Sequence, residues 1–141
     1  MKKLALAAVA SCAVASAAHA YNLNDVVGSN IGDKTVQANP VMQQVIARAM
    51  SYLTAAQREQ VKQFFPNGVS GPINGINNIY YFNACEPQLC SENNIVIAAS
   101  EDWHGQKSDN VWVLLTLNGQ TTIYGKPWDS VLKVMQTPNE Y

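Results

Sequence analysis

Residues 111–115 read Val-Trp-Val-Leu-Leu, five apolar side chains in a row with no alternation. Successive side chains of a β-strand point to opposite faces, so a strand of this composition needs apolar cover on both sides. Asn118-Gly119 follows and separates this run from a second one at residues 121–124. Asn-Gly is the strongest short hairpin signal, because both central positions of a type I′ turn take positive φ. Two earlier runs, 79–84 and 95–100, are also rich in β-branched and aromatic residues and bounded by polar breaks. Four strands in an antiparallel meander are expected over the second half of the chain.

The first half has a different period. Met42, Val45, Ile46, Ala49, Met50 and Leu53 recur at steps of three and four, an apolar stripe along one helix face. This stripe reads as core rather than as a cofactor box. Pro40 suits the first turn, where its missing N–H is not needed. Thr54-Ala55-Ala56-Gln57 is a capping box and opens a second helix over 55–65, with Val61, Phe64 and Phe65 inward and Pro66-Asn67-Gly68 as its stop. Both helices are short and need a surface to pack on. Residues 21–40 are polar, contain Gly28 and Gly32, and read as an extended arm or irregular turn. A short final helix after Pro127 is expected to turn Trp128, Val131, Leu132 and Met135 inward. The fold class expected is α+β, with N-terminal helices packed on an antiparallel β-sheet meander.

Residues 1–20 stand apart. Lys2-Lys3 is followed by apolar and small residues and then by Ala18-His19-Ala20, the three-part pattern of a secretory signal peptide cleaved after Ala20. Val9-Ala10-Ser11-Cys12 also resembles a lipoprotein box, but the apolar stretch before Cys12 is short for a signal, so cleavage after Ala20 is the reading taken. One domain, residues 21–141, remains. Loss of Lys2 and Lys3 from nine basic and ten acidic groups leaves seven against ten, a net charge of −3. That balance lacks the footprint of a nucleic-acid binder. No later run reaches the roughly 18 apolar residues of a membrane span. Nucleotide-loop fingerprints and HExxH or CxxC metal patterns are missing, so neither cofactor nor metal is expected.

With Cys12 removed, Cys85 and Cys90 form an even pair in an oxidising compartment, and a disulfide is expected. The six-residue ring would contribute about 2 kcal/mol in the chain-entropy treatment. Its main effect would be to stiffen a hairpin loop in which Pro87 already fixes one torsion. Ala84-Cys85, Pro87 and Cys90 share their frame with the disulfide-closed loop of the periplasmic inhibitors of vertebrate lysozyme, which reads Cys-Lys-Pro-His-Asp-Cys. The chain resembles that family in layout over about residues 41–135. Glu86, Gln88 and Leu89 stand where the family has Lys, His and Asp.

The resemblance implies a periplasmic protein, not an enzyme, whose loop of Glu86, Pro87, Gln88 and Leu89 enters the cleft of a lysozyme or other peptidoglycan hydrolase. Gln88 and Leu89 are its probes, and a homodimer is one state the family adopts. The alternative is an interaction or immunity-type protein on the same scaffold that does not inhibit lysozyme. Residues 101–109 hold Glu101, Asp102, Asp109 and the single histidine after residue 20, His104. They read as a solvated hairpin loop in which Trp103 and His104 serve as a secondary contact. A small hydrolase using Glu101, His104 and Asp109 is the third reading, with no Gly-x-Ser-x-Gly elbow beside it.

Overall fold

The structure, a computed structural model, describes residues 21–101 and 108–138. The segment assigned as a signal peptide, with Cys12, lies outside them. So do Trp103 and His104. The described elements are a 3-10 turn Leu23–Val26, helices α1 Lys34–Gln37, α2 Pro40–Ser51 and α3 Ala55–Asn67, strands β1 Val69–Ser70, β2 Asn74–Ile76, β3 Ile79–Cys85, β4 Asn94–Glu101, β5 Ser108–Leu117 and β6 Gln120–Tyr124, and helix α4 Asp129–Gln136. The α+β architecture is as expected, with helices preceding one antiparallel sheet.

Strands run in the order β1-β3-β4-β5-β6, and β2 shares the outer edge of β3 with β1. Both short edge strands lie outside the four expected runs. Asn77 and Asn78, at φ 50° and 62°, make the two-residue turn between Ile76 and Ile79. Asn118 and Gly119, at 51° and 75°, make the expected one between Leu117 and Gln120. Asparagine tolerates this left-handed region better than other side chains carrying a Cβ.

Strand β5 is covered on both faces. Val111, Val113 and Leu115 join Phe82, Ala84, Ile95 and Ile97 against the N-terminal helices, which contribute Val41, Val45, Ala49, Val61 and Phe64. Trp112 and Leu114 belong to the opposite face, with Tyr81, Val96 and Ala98, beneath Val131, Val134 and Met135 of α4. At ~25 cal/mol per Å² of apolar surface, each fully buried Ile or Leu contributes about 2 kcal/mol before entropy is subtracted. Two opposed helical layers therefore explain why β5 has no polar positions between Val111 and Leu115.

Three expectations are corrected. Residues 21–40 are not an arm: Leu23, Val26 and Val36 are buried in the core. Asn22 and Asp25 cap one another reciprocally, which closes the 3-10 turn and presents Leu23 and Val26 on one side. Asn39, 1% exposed, holds this segment down: its Nδ2 donates to the Asn22 carbonyl at 2.9 Å and its Oδ1 accepts the Met42 N–H at 3.0 Å. Second, Trp128 does not face inward. It is the N-cap of α4 with extended backbone (ψ 159°), so it is out of phase with the helix, and it is 58% exposed. Val131, Val134 and Met135 make the buried seam at i, i+3 and i+4, leaving Leu132 half-buried beside it. Third, α3 continues through Pro66 to Asn67 and leaves at Gly68. A Cβ on Gly68 would collide with the carbonyls of Phe64 and Cys85, so this glycine lets the end of α3 lie against the end of β3.

Candidate functional site

The β3–β4 hairpin carries the cysteine loop at its tip. Cys85 is the last residue of β3, paired on one side with Val69 and on the other with Asn94, so the base of the loop is held by sheet on both sides. Cys85 and Cys90 are disulfide-bonded, with Cα atoms 4.9 Å apart. Within the ring the Leu89 N–H donates to the Glu86 carbonyl at 3.0 Å. Pro87 and Gln88 are the two central residues of this turn, and Gln88 takes φ 69°. Proline then a residue of positive φ is the pattern of a type II turn. Beyond Gln88, Leu89 accepts from both Glu92 and Asn93, at 2.9 and 2.8 Å, in a second tight turn that returns the chain to β4.

Pro87, Gln88, Leu89 and Cys90 are exposed, Leu89 at 40%. Glu86 is half-buried and engaged: its Oε2 accepts from Asn93 Nδ2 at 2.7 Å, and its N–H donates to the Asn93 carbonyl at 3.0 Å. Its carboxylate therefore braces the loop from behind, and Gln88 and Leu89 form the outward edge. Asn93 also binds the neighbouring turn, since its Oδ1 accepts the Asn118 N–H at 2.8 Å. The Glu92 carbonyl accepts the Gly119 N–H at 3.0 Å. Two chain turns at one end of the sheet are thus joined by side-chain and backbone bonds. Asn93 was not legible as a site residue, because its partners are 7 and 25 positions away and no local pattern marks it.

Below the loop, on the face carrying α4, the helix covers only part of the sheet. The uncovered part is an open groove of about 710 Å³. Its floor is two rows of cross-strand neighbours, Asn83–Val96–Leu114–Ile123 and Cys85–Asn94–Thr116–Thr121. The hydroxyls of Thr116 and Thr121 are 3.0 Å apart and hydrogen-bonded, and Ile123 is 44% exposed. The disulfide forms one wall and the end of α4, at Met135 and Gln136, the other.

The structure does not bring Glu101 and Asp109 to the loop. They stand at the other end of β4 and β5, where pairing slips between Ser100 and Glu101. Among the described residues no group of His, Cys, Asp and Glu is arranged to hold a metal ion. No described helix is long and apolar enough to cross a membrane. Comparison with protein families, with curated proteins and with solved structures finds no match to this chain.

Proposed function

We propose that this chain is a secreted, periplasmic inhibitor of a lysozyme or related peptidoglycan-cleaving enzyme, and that it acts by inserting the disulfide-closed loop into the target's cleft. The observation that carries this reading is the contrast within the loop. Gln88 and Leu89 are exposed at its edge, while Cys85, Cys90, Glu86 and Asn93 fix its two ends. A projecting segment that is already ordered loses little conformational entropy on docking, so more of its contact energy appears as affinity. Occlusion of the cleft by Pro87 to Leu89 and a hydrogen bond from the Gln88 amide are sufficient for inhibition without chemistry. The leader-like residues 1–20 and the cysteine pair support export to an oxidising compartment.

The experiment is titration of the purified chain, residues 21–141, into chicken-type, goose-type and bacterial peptidoglycan hydrolases. Saturable inhibition that is lost in Gln88→Ala with Leu89→Ala supports the reading; no inhibition of any of these enzymes overturns it.

A second reading is favoured by the groove beside the disulfide. A binding protein on the same scaffold would engage its partner through Asn83, Asn94, Thr121 and Ile123 rather than through the loop edge. Partner binding would then survive Gln88→Ala and Leu89→Ala and fail in Ile123→Lys.

A further inference from the structure

We infer that the cleft beside Trp128 is a saccharide-binding site, distinct from the cysteine loop. It lies at the opposite end of the sheet: Ile79 is six residues from Cys85 along β3, about 20 Å at strand rise. The cleft has a volume of about 550 Å³ and is formed by the β2–β3 turn, the adjacent ends of β4 and β5, and the first turns of α4. This is the size range of small-ligand sites.

Trp128 supplies its exposed aromatic surface, beside Ile76, Ile79 and Val134. Its ring meets Trp112 at a centroid distance of 5.4 Å and an angle of 61°, and more than half of the residue stays open to solvent. The backbone that carries the indole is also held. Pro127 precedes it, and the Trp128 carbonyl accepts the Leu132 N–H at 2.8 Å as the first bond of α4. Among the described residues, the polar groups lining the same cleft are Asn77, Asn78, Ser100, Asn110, Ser130 and Lys133, none of them a carboxylate. Asn110 Nδ2 is itself fixed by donation to the Ser100 hydroxyl at 3.3 Å.

This combination selects among ligand classes. A purely apolar occupant would strip water from the exposed side chains of Asn77, Asn78 and Ser130 and leave them unpaired, at ~1–3 kcal/mol each. Among the described lining residues a polyanion would meet a single lysine, far short of the charge needed to hold phosphates. A hexopyranose ring matches both halves of the cleft. Its C–H face is flat and apolar and fits an exposed indole, and its equatorial rim of hydroxyls both donates and accepts. The occupant is therefore an uncharged or N-acetylated hexopyranose oligomer, one ring on Trp128 and its hydroxyls on the asparagine and serine side chains.

The test is binding of the purified chain, residues 21–141, to an array of neutral and N-acetylated hexopyranose oligomers, followed by calorimetric titration of the tightest one. Saturable binding is expected. Trp128→Ala should weaken it by about tenfold or more, as for an anchoring aromatic at the centre of a small site, while Trp128→Phe keeps most of the affinity. Asn78→Gly preserves the positive-φ turn but removes an amide, so it should weaken binding by about threefold or more at unchanged melting temperature. Gln88→Ala should leave glycan affinity unchanged, which separates this site from the loop. Absence of binding across the array, or equal affinity in Trp128→Ala and Asn78→Gly, overturns the proposal.

Discussion

The side-chain oxygen of Asn93 accepts the backbone N–H of Asn118 at 2.8 Å, tying the end of the cysteine loop to the tip of the neighbouring hairpin. The other end of the same amide donates to Glu86 at 2.7 Å. One half-buried side chain thus determines where two turns lie relative to one another. The disulfide closes the loop, and Asn93 aims it.

Asn93→Ala should therefore lower stability by about 1–3 kcal/mol, the cost of two lost side-chain bonds in a half-buried setting. Asn93→Asp keeps the acceptor for Asn118 but sets a second carboxylate against Glu86, so it should be no better than alanine at low salt. Hydrogen exchange at Asn118 should quicken in Asn93→Ala, while exchange at Val113 stays at the wild-type rate. Unchanged exchange at Asn118 would contradict this role.

Replacing Cys85 and Cys90 together by serine should lower stability by about 2 kcal/mol and leave the far-ultraviolet circular dichroism unchanged, because the ring is short and sheet pairing already holds Cys85. Inhibition or partner binding through the loop should weaken by a larger factor than the melting curve alone would suggest. Equal effects on both would show that the bridge only staples a turn.

Gln88 occupies left-handed backbone at φ 69°, which costs a residue with a Cβ about 1–2 kcal/mol. Gln88→Gly should raise the melting temperature or leave it unchanged, and Gln88→Val should lower it. If Gln88 is the probe of a target cleft, Gln88→Gly weakens inhibition despite the gain in stability. Thermal melts and inhibition assays on the same preparations separate the two effects.

Gly68→Ala should be strongly destabilising, by more than about 2 kcal/mol, since the added methyl meets backbone carbonyls of Phe64 and Cys85 that cannot rotate away. Gly32→Ala, where a methyl meets open space, is the control and should be close to neutral. Urea denaturation of both variants checks the pair.

Asn39→Ala should cost about 2 kcal/mol, because it removes the cap of α2 and the shorter of the two hydrogen bonds to the Asn22 carbonyl. Asn39→Ser restores only the cap and should recover part of the loss. Limited proteolysis within residues 21–38 should become faster in Asn39→Ala, since that amide pins the segment to the body of the fold.

Elements whose signals are local can be read from the chain alone. The strand at Val111–Leu115, the Asn118-Gly119 turn, the stripe from Met42 to Leu53 and the Thr54–Gln57 box each follow from side-chain periodicity or from a φ requirement of one or two residues. The cysteine loop was legible too, as two cysteines and a proline at a hairpin tip. Features that depend on residues distant in sequence emerge only from packing in three dimensions. Asn39 holds the segment that buries Leu23, Val26 and Val36, through a partner 17 positions away. The exact start of α4 set its phase, placing Val134 inward and Trp128 outward. Asn93 joined two turns 25 positions apart. A hydrogen bond between distant positions leaves no periodic trace in the chain, and a helix's buried face is set by where its first turn begins, so neither is encoded in a local pattern.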